Sequence, residues 1–144
     1  MSAWSAAYLA EDAAEAACRT AAAALSNPLR RRALVRAADH AAARTRIQSL
    51  LTDLPAVPAA YSFAESAGTP AAARALVSRT ENALVPVYAD AAAADAGPSR
   101  AWAVEQAMAC AVAGVRWGGA TQAFPQAPSS TAPEEQVPGQ TQDQ

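Results

Sequence analysis

Four long alanine-rich stretches, separated by short breaks, decide what this chain can fold into. Alanine accounts for 44 of the 144 residues and is the best helix former. Pro, Gly and Asn, which interrupt or end helices, are found in the breaks. Within the stretches, larger apolar residues recur three and four positions apart, which is the spacing of one helix face. The sequence therefore predicts an all-α protein with four helices.

We predict helix 1 over residues 2–25, helix 2 over 27–53, helix 3 over 69–94 and helix 4 over 99–120. Asn27-Pro28 and Thr69-Pro70 each join a capping side chain to a proline suited to the first helical turn. Residues 124–144 are rich in Pro, Gln, Ser and Thr and have no apolar periodicity. The sequence thus predicts one bundle over residues 1–123 and a disordered tail over 124–144.

The connections between the predicted helices are unequal in length. Short turns join helix 1 to helix 2 and helix 3 to helix 4, so each pair is expected to be antiparallel. About fifteen residues, LPAVPAAYSFAESAG, separate helices 2 and 3 and can span up to ~50 Å. That is enough to run along the bundle, as the crossover of a ferritin-like four-helix bundle does. Val57, Tyr61 and Phe63 are expected to anchor this connection.

Charge and composition argue against several classes of protein. The net charge is −2, and residues 1–123 carry eleven Arg and ten acidic residues, which does not suggest a polyanionic partner. The cluster Arg30–Arg32 with Arg36 lacks interleaved aromatic residues, so we interpret it as a solvated face. No apolar run is long enough to span a membrane, and the acidic N-terminal region does not resemble a signal peptide. We expect a cytoplasmic protein that binds neither nucleic acid nor membrane.

Cysteine and histidine usage gives little support for catalysis. Cys18 and Cys110 have no metal-type spacing and are expected to be reduced, buried thiols. With a single histidine, His40, no Ser/His/Asp or Cys/His arrangement for nucleophilic catalysis can be recognised.

Each predicted helix places a potential metal ligand on its apolar stripe. Helix 4, for example, gives the stripe Ala101, Glu105, Met108, Val112 and Val115. Because an unpaired buried charge is costly, the polar stripe residues are expected to face one another, a metal ion or arginines. The candidates are Glu11, Glu15, His40, Glu81 and Glu105.

A di-iron bundle needs one Glu from each of two helices and a Glu-x-x-His from each of the other two. Ala37 stands three residues before His40, and Met108 stands three after Glu105. Two of the six ligands are therefore missing. Two interpretations stay open. In one, arginines on or beside the stripes pair with the carboxylates and fix the helix register: Arg44, Arg74, Arg79 and Arg116. In the other, His40 and two or three carboxylates hold a single Fe, Mn or Zn ion.

Five short motifs follow one another along residues 3–125: YLAEDAAEAAC, DHAAARTRIQSLL, PAVPAAYSF, RTENALVPVYADAAA and WGGATQAFP. In this order they resemble the actinobacterial family of ferritin-like domain proteins of unknown function. The resemblance implies a ferritin-like bundle, often without a full di-iron ligand set and without an assigned activity. It also places Glu15, His40 and Glu81 on the family's polar core positions.

The sequence therefore predicts a ferritin-like four-helix bundle of two antiparallel helix pairs joined by a long crossover. We predict that it is non-enzymatic, needs no cofactor and acts through protein interaction as a homodimer. Alanine-rich helices bury little apolar area each, and pairing two bundles would add to it. The alternative is a metal-binding or oxidoreductase-like protein that uses His40 and the stripe carboxylates.

Overall fold

The computed structural model of the chain describes residues 1–63 and 67–120. It contains four helices and, within those ranges, no strand: α1 (Ala3–Ala24), α2 (Leu29–Gln48), α3 (Pro70–Ala94) and α4 (Gly97–Arg116). The prediction of an all-α protein with four helices is confirmed. The predicted disordered tail lies outside the described residues. Among the helices that are described, none combines the length and the apolar character needed to cross a membrane.

Side-chain caps mark the starts of α1 and α3. The Ser2 hydroxyl accepts a hydrogen bond from the backbone N–H of Ser5 at 3.0 Å, and Thr69 caps α3 in the same way. The start predicted from Thr69-Pro70 is confirmed. The predicted cap by Asn27 is wrong, because Pro28 occupies the capping position without a side-chain hydrogen bond. Backbone carbonyls of the preceding turn accept the first N–H groups of α2 instead.

Helices α2 and α4 end well before their predicted ends, at Gln48 and Arg116. The Ser49 hydroxyl donates to the carbonyl of Arg46 at 2.6 Å, and tightened backbone hydrogen bonds close α2 at Gln48. The last turn of α4 is followed by Gly118, whose φ of +100° lies in the region that favours glycine. Gly118 thus follows the end of the helix at Arg116, and the predicted extension of helix 4 to residue 120 is wrong.

The core consists of two apolar clusters separated along the bundle. α1 packs against α2 and α3, and α3 packs against α4. One cluster includes stacked Trp4 and Trp102 rings, with centroids 5.8 Å apart, and Tyr88 edge-on to Trp102. The other is made mostly of small residues together with Leu25, Leu76, Val77 and Trp117. An open groove of about 620 Å³ separates α2 from α4 on the outside.

Two of the three residues predicted to anchor the long connection do so. Tyr61 and Phe63 are partly buried, with ring centroids 6.3 Å apart, and the Tyr61 hydroxyl donates to Asp12 Oδ2 at 2.8 Å. The prediction for Val57 is wrong, since 43% of its surface is exposed.

The predicted inner face of α4 is also wrong. All five residues of the predicted stripe are exposed, whereas the face against α3 is formed by Trp102, Ala103, Cys110 and Gly114. The reason is the close approach of the two helices. A Cβ atom at Gly114 would lie 2.3 Å from Asn82 Oδ1, so only the small-residue face of α4 fits there.

Candidate functional site

A layer of polar side chains crosses the centre of the bundle between the two apolar clusters. Glu11 of α1, His40 of α2 and Glu81 of α3 are at most 1% exposed. On α2, Ala33 and Ala37 belong to one cluster and Ala43 and Ile47 to the other, with His40 between them. The helical spacing that builds the core thus also brings the three polar residues to one level.

His40 lies between the two carboxyl groups. Its Nδ1 atom is 2.6 Å from Glu11 Oε2, and its Nε2 atom is 3.3 Å from Glu81 Oε1. The first contact is a hydrogen bond, whereas Nε2 is close to Glu81 but not aligned for one. Burial lowers the pKa of His40, but contacts with Cys18, Glu11 and Glu81 outweigh it and raise the pKa to about 11. His40 is therefore a cation at neutral pH.

Glu81 is held by an arginine from α2. The guanidinium of Arg36 donates through Nη2 to Glu81 Oε2 at 2.7 Å and through Nε to Glu81 Oε1. Burial opposes ionisation of Glu81, yet Arg36 and His40 lower its pKa below the usual value. Arg36 Nη2 also lies 3.5 Å from Cys110 Sγ. The two parallel hydrogen bonds from Arg36 to Glu81 form the arrangement in which arginine binds a carboxylate most strongly.

The second carboxylate oxygen of Glu11 accepts a hydrogen bond from a tyrosine. The Tyr88 hydroxyl donates a hydrogen bond to Glu11 Oε1, while His40 contacts the other oxygen. Burial and the neighbouring Glu11 raise the pKa of Tyr88, so its hydroxyl keeps its proton and remains a donor. The layer is thus a connected network from Tyr88 through Glu11, His40 and Glu81 to Arg36.

A second, more exposed polar cluster lies on α1 and α2. Arg44 pairs with Asp12, and its Nη2 atom is 3.2 Å from Glu15 Oε2. Arg19 contacts Glu15 Oε1 at 2.9 Å. Burial and the hydrogen bond to Asp12 raise the pKa of Tyr61 to about 12. This cluster holds the connection against the bundle surface.

The structure brings together three of the five predicted site residues and leaves two apart. Glu11, His40 and Glu81 meet in the layer. Glu15 belongs to the cluster near the surface, and Glu105 is exposed on the outer side of α4. Of the arginines expected to pair with carboxylates, Arg44 does so, and Arg74 and Arg116 are exposed.

Sequence reasoning missed Arg36, Tyr88 and Cys18 as members of the site. Each lies four or seven residues from a polar residue of the layer on its own helix, so helical spacing was a usable signal. Arg36 was interpreted as part of a solvated cluster because its neighbours are arginines. Its long side chain nevertheless reaches inward, and the side chain is 16% exposed.

The layer does not fit a di-iron centre of the ferritin type. Ala37, where a ligand would be needed, is buried among apolar residues, and Met108 is 65% exposed on the far side of α4. No chemistry through such a centre follows from these residues.

The fold and the layer define an all-α bundle with a charged network in its core. The chain belongs to the family of domains of unknown function DUF4439, whose model matches residues 3–129. No curated protein matches the chain, and no solved structure matches it.

Proposed function

We propose that this chain is a non-enzymatic helical bundle that acts through protein interaction, and that its first partner is a second copy of itself. The observation that carries the proposal is an apolar stripe on the outside of α4. Val104, Met108, Val112 and Val115 are 45%, 65%, 50% and 41% exposed. Contiguous exposed apolar surface of this kind marks interaction sites.

The spacing of the stripe suits an antiparallel partner helix. Its four residues are four, four and three positions apart, so they lie along one side of α4. A twofold axis between Met108 and Val112 would bring Met108 beside the partner's Val112. It would likewise bring Val104 beside the partner's Val115. The same surface then serves both copies, as a twofold interface requires.

Charges beside the stripe favour this pairing over an unrelated partner. Glu105 and Arg116 are both exposed on the same flank of α4. In the antiparallel arrangement Glu105 lies opposite Arg116 of the partner subunit, and symmetry repeats this pair. Opposite charges at such flanking positions set helix orientation in coiled coils.

The groove between α2 and α4 adds to the surface. A helix of 20 residues is about 30 Å long, and one face about 10 Å wide offers roughly 300 Å². A stable interface buries about 800 Å² per partner. The pairing therefore also needs α2, whose Val35 is 55% exposed and lines the groove with Met108 and Val112.

The polar layer supports the non-enzymatic part of the proposal. The groove reaches Arg36, but Glu11, His40 and Glu81 do not line it. The charges of the layer are compensated by one another, which suits a role in fixing helix register. A ferritin-like crossover is part of the same proposal, supported by the packing of α1 on α2 and α3 on α4.

Size-exclusion chromatography with light scattering tests the dimer. At tens of micromolar we expect a mass twice that of the 14.7 kDa chain. Met108→Glu and Val112→Glu should shift the protein to monomer, because each buries a charge in the stripe. Val57→Glu is the matched control, since Val57 is similarly exposed but lies outside α4.

A charge swap tests the register. Glu105→Arg should weaken the dimer, and Glu105→Arg combined with Arg116→Glu should restore it. A monomer at every concentration would overturn the proposal. A dimer that ignores the stripe variants, or one that the double charge swap does not rescue, would overturn the antiparallel α4 interface.

A further inference from the structure

Three buried donor atoms from three different helices converge at one edge of the polar layer. They are Cys18 Sγ of α1, a ring nitrogen of His40 on α2 and a Glu81 carboxylate oxygen of α3, all within 4.8 Å of one another. We propose that these three residues bind one zinc-type divalent cation. The inference is independent of the dimer, because it uses buried residues of a single chain.

The donor set and the spacing suit tetrahedral zinc. Thiolate, imidazole and carboxylate are the three ligand types that zinc takes in proteins, with bonds of about 2.0–2.3 Å. Tetrahedral geometry with those bonds sets the donors about 3.3–3.8 Å apart. His40 Nε2 and Glu81 Oε1 are already 3.3 Å apart. The widest pair would contract by about 1–1.5 Å, which is within reach of side-chain rotation.

A second observation points to a ligand at this position. His40 is 1% exposed, and among the described residues its Nε2 atom makes no aligned hydrogen bond, although Glu81 Oε1 lies 3.3 Å away. A buried polar atom without a partner is unusual and calls for an explanation. Nε2 is 3.3 Å from Glu81 Oε1, and the Cys18 thiol belongs to the same cluster of donors, so a cation held by the three residues would satisfy Nε2.

The surrounding contacts orient the ligands as they do in known metal sites. Glu11 Oε2 accepts the hydrogen bond from His40 Nδ1 at 2.6 Å, which leaves Nε2 as the ligand atom. A carboxylate behind the histidine is the usual support for a zinc-bound imidazole. Arg36 fixes the orientation of Glu81 through both carboxylate oxygens, and each of these oxygens has a further lone pair for a cation.

Metal binding here would be coupled to proton release. A cysteine binds a metal ion as the thiolate and a histidine as the neutral imidazole, so affinity for the ion should increase with pH.

Cobalt(II) is the first probe, because a thiolate bound to tetrahedral Co²⁺ gives a near-ultraviolet charge-transfer band and intense visible bands. The full chain is titrated with Co²⁺ and then with Zn²⁺, which should displace the cobalt. We expect one ion per chain and the thiolate band. Cys18→Ser should abolish the band and weaken binding by more than the roughly 10–100-fold typical of outer-shell losses.

Cys110→Ser is the matched control, because Cys110 is also a buried free cysteine but does not belong to the three-donor cluster. It should keep the band and the affinity. Glu11→Gln should weaken binding by about 10–100-fold without removing the band, as loss of an outer-shell partner does.

Measurements on the unaltered chain keep the proposal testable even if a variant does not fold. Zinc should raise the thermal unfolding midpoint of this chain in a concentration-dependent way. No Co²⁺ uptake at millimolar concentration would overturn the proposal. Uptake without the thiolate band would assign the ion to surface carboxylates and overturn it as well. If Cys18→Ser and Cys110→Ser lose Co²⁺ affinity and the thiolate band to the same extent, the proposal is also overturned.

Discussion

The centre of this bundle and the outer face of α4 reverse the usual placement of residues. In the centre, Glu11, His40 and Glu81 are almost fully buried. On α4, four large apolar residues from Val104 to Val115 are 41–65% exposed. The two regions differ in whether other groups compensate the unusual placement, which is a buried charge in one region and an exposed apolar side chain in the other. The buried charges are paired within the chain, whereas the described part of the chain leaves the apolar side chains of α4 exposed.

The two regions are expected to contribute differently to the free energy of unfolding. A buried ion pair adds little net stability over an apolar replacement, but removing one partner is strongly destabilising. An exposed apolar side chain has almost no effect on unfolding of the single chain and acts only when another surface covers it. Stability should therefore depend on the layer, whereas the outer face of α4 should matter only for the dimer that we propose.

The largest expected effect follows from removing Arg36. Arg36→Met leaves Glu81, which is fully buried, without its two-pronged partner, and we expect a loss of about 3–5 kcal/mol in the free energy of unfolding. Urea unfolding followed by circular dichroism measures it. Arg19→Met is the control, because the Arg19 side chain is 60% exposed, and its pair should contribute at most about 1 kcal/mol.

The double variant Arg36→Met with Glu81→Met sharpens that result. It removes both charges and should recover most of the lost stability. If it is no more stable than Arg36→Met alone, the unpaired charge is not the cause, and packing around Arg36 is the better explanation.

The next effect separates the two faces of α4. Gly114→Ala should cost about 1–3 kcal/mol, because its Cβ would lie 2.3 Å from Asn82 Oδ1. Met108→Ala, at a residue that is 65% exposed, should change the unfolding free energy by at most about 0.5 kcal/mol. Thermal and urea unfolding at submicromolar protein would measure both. The opposite order would mean that Met108, not Gly114, faces the core.

The pH dependence should be the smallest of these effects when it is expressed as the change in unfolding free energy per pH unit. The folded protein holds the His40 proton up to a pKa of about 11, whereas the unfolded chain releases it near 6.5. The stabilisation is fully present below pH 6.5 and declines as the pH rises toward 11. The slope is at most about 1.4 kcal/mol per pH unit.

Urea unfolding between pH 7 and 9 measures that slope in the metal-free protein, and His40→Asn should flatten it. Because the chain has one histidine, its imidazole signals in a proton NMR spectrum need no assignment. They should not titrate between pH 6 and 9. A titration midpoint near 6.5 would contradict the burial of His40 between two carboxyl groups.

The sequence was sufficient for the fold class and for part of the layer. Thr69-Pro70 located the start of α3, and the spacing on α1, α2 and α3 identified Glu11, His40 and Glu81 as inward-facing. These positions were readable because a charged residue among small apolar ones interrupts a clear helical period. The ferritin-like connectivity and the actinobacterial family resemblance stay predictions.

The face of α4 was not readable for a physical reason. Hydrophobic periodicity counts apolar residues and favours the largest ones, such as Met108 and Val112. The space beside α3 instead selects the smallest, Gly114 and Ala103. Arg36 was missed in a similar way, since three neighbouring arginines suggest solvent while its own position, four residues before His40, points inward. Residue size and side-chain reach decide both cases.

The way the layer is assembled also has a consequence for the order of folding. Glu11, His40 and Glu81 come from three helices, so the network is complete only when α1, α2 and α3 have all docked. An intermediate in which α1 packs on α3 without α2 would bury Glu11 and Glu81 without the two cations that α2 supplies, His40 and Arg36. The complete network should therefore form late in folding and slow the unfolding of the native state. In stopped-flow kinetics, Arg36→Met should accelerate unfolding and leave the refolding rate nearly unchanged.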